Sequence, residues 1–303
     1  MTGVLEAGVD TARFLYRLHD ERQQETAAEH WRYPAKLGPL TVGYLPLHEL
    51  VWVEGRPATL YGGDAGLLPG SGLVEAEKLV RDRLRDAGAT DARPVGLSRV
   101  DATVTVKFDR AAEGWALLRG LAALDVPRRK PDVIGRPIET VYWLTPSGKR
   151  QERAYDKGLE SATARPGTHI RLEAQMRYRA TDRTTAEWWN MERVREGFET
   201  RFGAMGRAAE GLHVASEQTI REQLRELVER ERITPGMAER LLGFIAAQSV
   251  GLPAPSRRTS FRRRAELRRL GLAQALDGVD GDDLDVDLGE ILADALTTDR
   301  WGA

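Results

Sequence analysis

The chain has 303 residues, 46 acidic and 45 basic, with 41% hydrophobic residues and no cysteine. Its length suits about two domains, and the apolar share is too high for wholesale disorder. The lack of cysteine excludes disulfides, thiolate metal sites, iron–sulfur clusters and cysteine nucleophiles. No run approaches the ~20 apolar residues of a membrane span, and residues 1–6 lack a basic end followed by an apolar stretch. The expected setting is soluble and cytoplasmic, with no membrane partner.

The near-zero net charge hides an asymmetry. Residues 99–179 carry 16 basic against 10 acidic side chains, residues 257–269 carry 7 Arg against Glu266, and residues 277–303 carry 9 acidic side chains against Arg300. Two basic blocks and an acidic tail point to an anionic polymer as partner, with the tail competing for the same surface. The alternative is a solvated surface in an Arg-rich chain.

In chain order, Val9–Leu18 is half-alternating and reads as a strand. Residues 20–40 are polar with two prolines and read as loop or irregular helix. Glu49–Tyr61 reads as two short strands around Glu54-Gly55. The glycine-rich stretch 61–72 lacks the Gly-Lys-Ser/Thr ending of a phosphate-binding loop, so it reads as a connection, with no nucleotide binding expected. It feeds a helix through Leu73, Ala76, Val80, Leu84 and Ala87. Arg99–Phe108 alternates strictly, with Val100, Ala102, Val104, Val106 and Phe108 against Arg99, Asp101, Thr103, Thr105 and Lys107. A helix carrying Trp115, Leu118 and Leu121 follows. Glu139–Thr145 and Arg150–Lys157 read as a hairpin around Pro146-Ser147-Gly148, and His169–Arg179 alternates again. The fold expected is α+β: an antiparallel sheet with helices on one face and candidate chemistry on the other. From residue 186 the period becomes helical, with helices near 188–202, 216–231 and 235–249, a break at 251–255, and an Arg-rich helix to Gly271. Beyond it, residues 272–276 and the acidic turn read as a wing. The expected domains are 1–185, catalytic, and 186–303, helical or winged-helix and DNA-binding.

Four constellations carry chemistry. Asp101 and Glu173 sit on the polar faces of two strands. Two such carboxylates can hold a divalent cation, or each can pair with an arginine. His169, four residues before Glu173 on the same face, is a candidate third ligand or a surface histidine. In Arg153-Ala-Tyr155-Asp-Lys157, the cations flank a tyrosine on one strand face. Its phenolate, so stabilised, can attack a phosphodiester; the alternative is a packed tyrosine beside solvated charges. In 256–271, Phe261, Ala265, Leu267 and Leu270 can anchor a helix capped by Ser256 or Thr259. Arg258, Arg262 and Arg269 are then free to reach duplex DNA. A basic helix lying against the acidic tail is the other reading.

The order Arg99-Val-Asp101, Tyr142-Trp-Leu-Thr with Arg153-Ala-Tyr155-Asp-Lys157, and Ile170-Arg171-Leu-Glu173 resembles the Rep-trans family of rolling-circle replication initiators, found on plasmids, conjugative elements and phages. The match covers about residues 95–180 well and 9–90 weakly. The resemblance implies a relaxase-like nicking endonuclease and strand transferase. Tyr155 would be its nucleophile, Lys157 and Arg153 would meet the scissile phosphate, and Arg171 would contact DNA. Asp101 and Glu173 would help hold Mg²⁺ or Mn²⁺, with Asp64 the candidate for a remaining ligand. The implied partners are plasmid or phage origin DNA, duplex and single-stranded, a host helicase and a second copy of the chain. The hairpin departs from the family by lacking a glycine after its aromatic pair. A conjugative relaxase and a non-catalytic DNA-binding repressor are the rival readings.

Overall fold

The computed structural model describes residues 2–62, 66–124, 126–135, 138–145, 150–160, 164–178, 185–249, 256–270, 272 and 284–302. In chain order these form β1 (Gly3–Arg17), α1 (Glu21–Trp31), β2 (Ala35–Leu37), β3 (Leu40–Leu45), β4 (Leu50–Gly55), α2 (Leu73–Asp86) and β5 (Arg93–Lys107). Then follow α3 (Ala111–Ala123), β6 (Lys130–Ile134), β7 (Thr140–Leu144), β8 (Arg150–Asp156), β9 (His169–Arg177), α4 (Met191–Ala209), β10 (His213–Ala215), α5 (Glu217–Glu229), α6 (Pro235–Ser249), α7 (Arg257–Arg269), β11 (Asp285–Asp287) and α8 (Leu288–Thr297). The fold is α+β, with a large antiparallel sheet. Among the described residues no helix is long and apolar enough to cross a membrane.

The chain divides into two compact units, each discontinuous in sequence. One holds residues 4–105, 173–201 and 298–303; the other holds 1–3, 106–172 and 202–297. The expected division at residue 185 falls within the 173–201 segment. In the first unit the strands bond in the order β2-β3-β4-β1-β5-β9. Register places Arg13 opposite Glu54 and Tyr16 opposite Val51. Val100, Ala102 and Val104 are fully buried, as their alternation requires, but so are Asp101 and Thr103 on the opposite face. The polar side of β5 is therefore an interior, and its charges need partners.

Of the two readings of residues 20–40, loop or irregular helix, the helix is the one present, as the regular α1, and the short strand β2 follows it. Asp20 caps α1 by accepting from the Gln23 amide at 3.1 Å, while Asp91 accepts from the His19 and Asp20 amides at 2.8 and 2.6 Å. Its regularity was hidden because Ala27 and Trp31 are its only buried residues, too narrow a stripe to show as a period. Glu49–Tyr61 holds one strand, β4, followed by a short 3₁₀ turn, Pro57–Tyr61. β4 lies between β1 and β3, with Val51 opposite Tyr16 on one side and Tyr44 on the other. The glycine-rich stretch is tied to β1, because Val9 and Leu68 exchange backbone hydrogen bonds of 2.7 and 3.0 Å.

Glu77, on α2, offers a pH test of this packing. Burial raises its carboxyl pKa; Arg81 opposes this, Glu187 adds to it, and the Ala186 amide works against it. A raised carboxyl pKa means that the folded state binds the proton more tightly than the unfolded chain. Ionised Glu77 therefore weakens the fold above that pKa. Glu77→Gln should raise the urea midpoint at pH 7. The gain should shrink as the pH falls through the raised value toward the ordinary 4.5. A gain that grows on acidification would contradict the assignment.

In the second unit β9, β8, β7 and β6 are successive neighbours. The β7–β8 hairpin sets Thr140 opposite Tyr155 and Tyr142 opposite Arg153. The Trp143 ring meets Phe202 edge-on at 6.0 Å. The acidic segment corrects the tail expectation over its described part: β11 pairs with β10, and Leu284, Leu288, Leu292 and Ala295 are buried. Its apolar residues are spaced to be buried, and the carboxylates lie between them. The expected wing at 272–276 lies outside the described residues apart from Leu272, which is buried.

Candidate functional site

Asp101 and Glu173 lie on hydrogen-bonded neighbours, β5 and β9. Both are enclosed, at 0% and 2% exposure. Arg99, two residues before Asp101 and on the same strand face, donates from Nε to Asp101 Oδ1 at 2.8 Å and from Nη2 to Oδ2. Its third nitrogen, Nη1, donates to Glu54 Oε1 at 2.8 Å. The other Glu54 oxygen accepts from Arg13 Nε. Arg13 in turn lies over the Trp52 ring, 5.1 Å from its centroid. That ring lies flat on β3 because position 43 is glycine; a Cβ there would sit 2.6 Å from the indole nitrogen. The result is a relay, Trp52–Arg13–Glu54–Arg99–Asp101, with charge-assisted bonds at each ionic link.

Burial acts against the Arg99 charge. The hydrogen bond to Asp101 and the fields of Asp101, Glu54 and Glu173 outweigh it, so the pKa of Arg99 is raised. Glu173, on the neighbouring strand, adds only to the field at this guanidinium. Glu54 is the member that sequence reading missed. Its signal is its register opposite Arg13, visible only once β1 and β4 are paired.

The donor chemistry suits Mg²⁺ or Mn²⁺, which take hard carboxylate oxygens. Asp101 and Glu173 would hold such an ion. Both Asp101 oxygens are engaged by Arg99, so guanidinium and cation draw on the same atoms. Among the described residues no group of three or more His, Cys, Asp or Glu side chains is placed to hold a metal. His169 Nδ1 lies 3.0 Å from the Thr168 hydroxyl. Asp64 is outside the described residues.

In the second unit, Arg153 and Tyr155 share a face of β8, as alternation predicts. The Arg153 guanidinium carbon is 4.7 Å from the Tyr155 ring centroid, an attractive cation–π distance. Tyr155 is 6% exposed. Lys157 departs from the expectation that it continues the strand alongside Tyr155. The strand ends at Asp156, Lys157 begins a 3₁₀ turn, and its Nζ donates to Glu160 at 2.9 Å.

The cause is Asp156. Its buried carboxylate accepts from the amides of Gly158 at 2.9 Å and Gly167 at 2.6 Å, and from Trp115 Nε1 at 3.2 Å. Gly167 has φ +77° and a Cβ there would lie 2.7 Å from the Ala111 carbonyl oxygen, so only glycine fits. Asp156 therefore fixes where the tyrosine strand stops. Arg171, expected at DNA, is 3% exposed and enclosed by protein.

The helices α5, α6 and α7 share a small core in which Ile220, Leu224, Leu241, Ile245, Leu267 and Leu272 are buried. The Ser256 hydroxyl caps α7 by accepting from the Thr259 amide at 3.3 Å. Leu267 anchors the helix and Leu270 packs against the core, whereas Ala265, expected as an anchor, is exposed. The Phe261 side chain, the break at 251–255 and Gly271 lie outside the described residues. Arg258, Arg262 and Arg269 are exposed, while Arg263 turns to Glu266 at 2.6 Å.

No family model matches the chain, and no curated protein does. Among solved structures it is similar to "Methanococcus jannaschii TBP", with 9% identity over 65% of this chain and 99% of that one. The TM-score of 0.27 is too low to bear on fold or function.

Proposed function

We propose that the chain is a rolling-circle replication initiator of the Rep-trans type, a relaxase-like enzyme that nicks and rejoins one strand of origin DNA. The Tyr155 oxygen attacks the scissile phosphorus, the 3′ oxygen leaves, and the protein stays joined to the 5′ phosphate. Attack by a 3′ hydroxyl then reverses the step and releases the tyrosine. Asp101 and Glu173 would hold Mg²⁺ or Mn²⁺, which would supply positive charge to the phosphate and the leaving oxygen. Arg153 keeps a guanidinium against the Tyr155 ring, and Lys157 lies just past the strand end. The observation that carries the reading is that Asp101 and Glu173, 72 positions apart in sequence, both lie enclosed on the hydrogen-bonded neighbours β5 and β9.

The test is covalent trapping. The full chain is incubated with end-labelled single-stranded origin DNA and Mn²⁺, then denatured. A protein–DNA adduct mapping to Tyr155 is expected. A non-catalytic DNA reader is the second reading, favoured by the 6% exposure of Tyr155 and the engagement of both Asp101 oxygens by Arg99. It predicts origin binding without any adduct.

On this reading the α5–α7 module, in a winged-helix-like role, reads the duplex through α7. Replacing Arg258, Arg262 and Arg269 together by Ala should weaken duplex binding. It should also flatten the salt dependence, by about 0.9 in the log–log slope for each phosphate no longer neutralised. Cleavage of a short single strand should survive. Binding isotherms at several salt concentrations check this, and an unchanged slope removes α7 from the interface.

A further inference from the structure

Arg99 is the side chain on which the acidic strands depend. Its guanidinium spends all three nitrogens on two carboxylates, Asp101 and Glu54, and stands in the field of a third, Glu173. With its side chain only 18% exposed, water screens these contacts little. Taking the guanidinium away would strip the Arg99 bonds from both oxygens of the enclosed Asp101, while Glu54 would keep Arg13. A buried carboxylate so released either takes up a proton or gathers another cation.

We infer that Arg99 is a built-in counter-ion that competes with a divalent cation for the Asp101 oxygens. The inference rests on the proposed nicking site and adds its regulation. Without metal, Arg99 neutralises the carboxylates and holds β1, β4 and β5 together through Glu54 and Arg13. A divalent cation binds only when Arg99 releases Asp101, so the apparent affinity for metal is lowered by the strength of that fork. The site is then silent at low cation concentration with its fold intact.

The probe is Mn²⁺ alone, titrated into the full chain without DNA and followed by the electron paramagnetic resonance of free Mn²⁺. Arg99→Gln should bind Mn²⁺ at least roughly tenfold more tightly than the native chain. Arg99→Lys should fall between them, because an ammonium cannot fork both Asp101 oxygens while reaching Glu54. Cation-free Arg99→Gln should melt below the native chain, and Mn²⁺ should raise its Tm by more than it raises the native value.

Equal or weaker Mn²⁺ binding by Arg99→Gln overturns the inference, as does the absence of binding in all three proteins. If Arg99→Gln does not fold without metal, Arg99→Lys decides: tighter binding than native supports competition, and equal or weaker binding rejects it. The nicking reading is judged separately by the Tyr155 adduct. An adduct without the expected affinity order sinks the counter-ion role alone. The affinity order without an adduct sinks the nicking reading and leaves the competition standing.

Discussion

Tyr155→Phe is expected to bind origin DNA as the native chain does and to form no covalent complex with it. The substitution removes one oxygen and keeps the ring, so the contact with the Arg153 guanidinium 4.7 Å away and the burial on β8 persist. On the proposed nicking reaction the substitution removes the nucleophile, so cleavage should fall by more than about 10³-fold. Denaturing gels with labelled single strands read the adduct, and equilibrium binding to duplex reads the fold. Tyr142 is the natural rival, since register sets it opposite Arg153 on β7. An adduct that survives in Tyr155→Phe, or one that peptide mapping places on Tyr142, would show that the nucleophile was misassigned.

Asp156→Ala should be the most destabilising single change near the tyrosine, at about 3 kcal/mol. Three donors lose their acceptor at once: the Gly158 amide, the Gly167 amide and Trp115 Nε1. Each buried donor left unpaired costs about 1–3 kcal/mol, and water entering the space left by the side chain offsets part of this. Urea unfolding measures the loss, and hydrogen exchange at Gly158 and Gly167 should accelerate. A loss below about 1 kcal/mol would mean that the turn is held by its other contacts. Because Asp156 joins Tyr155 to Lys157, nicking should fall further than the unfolded fraction accounts for.

What could be read from sequence followed the strength of the local period. β5 was legible because ten residues alternate without a break, and α2 because Leu73, Ala76, Val80 and Leu84 recur at helical spacing and are all buried. α1 stood only as one of two readings, loop or irregular helix, since it is held by its cap and by Asp91 rather than by an apolar stripe. The site was half legible. Asp101, Glu173, Arg153 and Tyr155 stand out by residue type and strand face, and the alternative that a carboxylate pairs with an arginine describes Asp101. Glu54 and the acceptor role of Asp156 were hidden. Their partners lie 45 residues away for Glu54 and up to 41 for Asp156, so no local pattern connects them. Arg171 misled because a strand arginine in a basic block looks solvent-directed, yet strand faces can both be interior. The acidic C-terminal segment misled through its charge sum, which concealed an apolar spacing.

The β10–β11 pair has one more consequence. The Ser216 amide donates to the Leu284 carbonyl at 3.0 Å, and Ala215 stands opposite Asp285, with His213 between Asp285 and Asp287 at 3.1 and 3.4 Å. The chain therefore enters and leaves the α5–α7 module through one doorway, a single strand spacing wide, and the module brings its own core. This is the geometry of an interchangeable cassette. A different module spliced between positions 216 and 284 would meet the same two anchor points, so this part of the chain can be exchanged while the sheet that carries it is inherited unaltered.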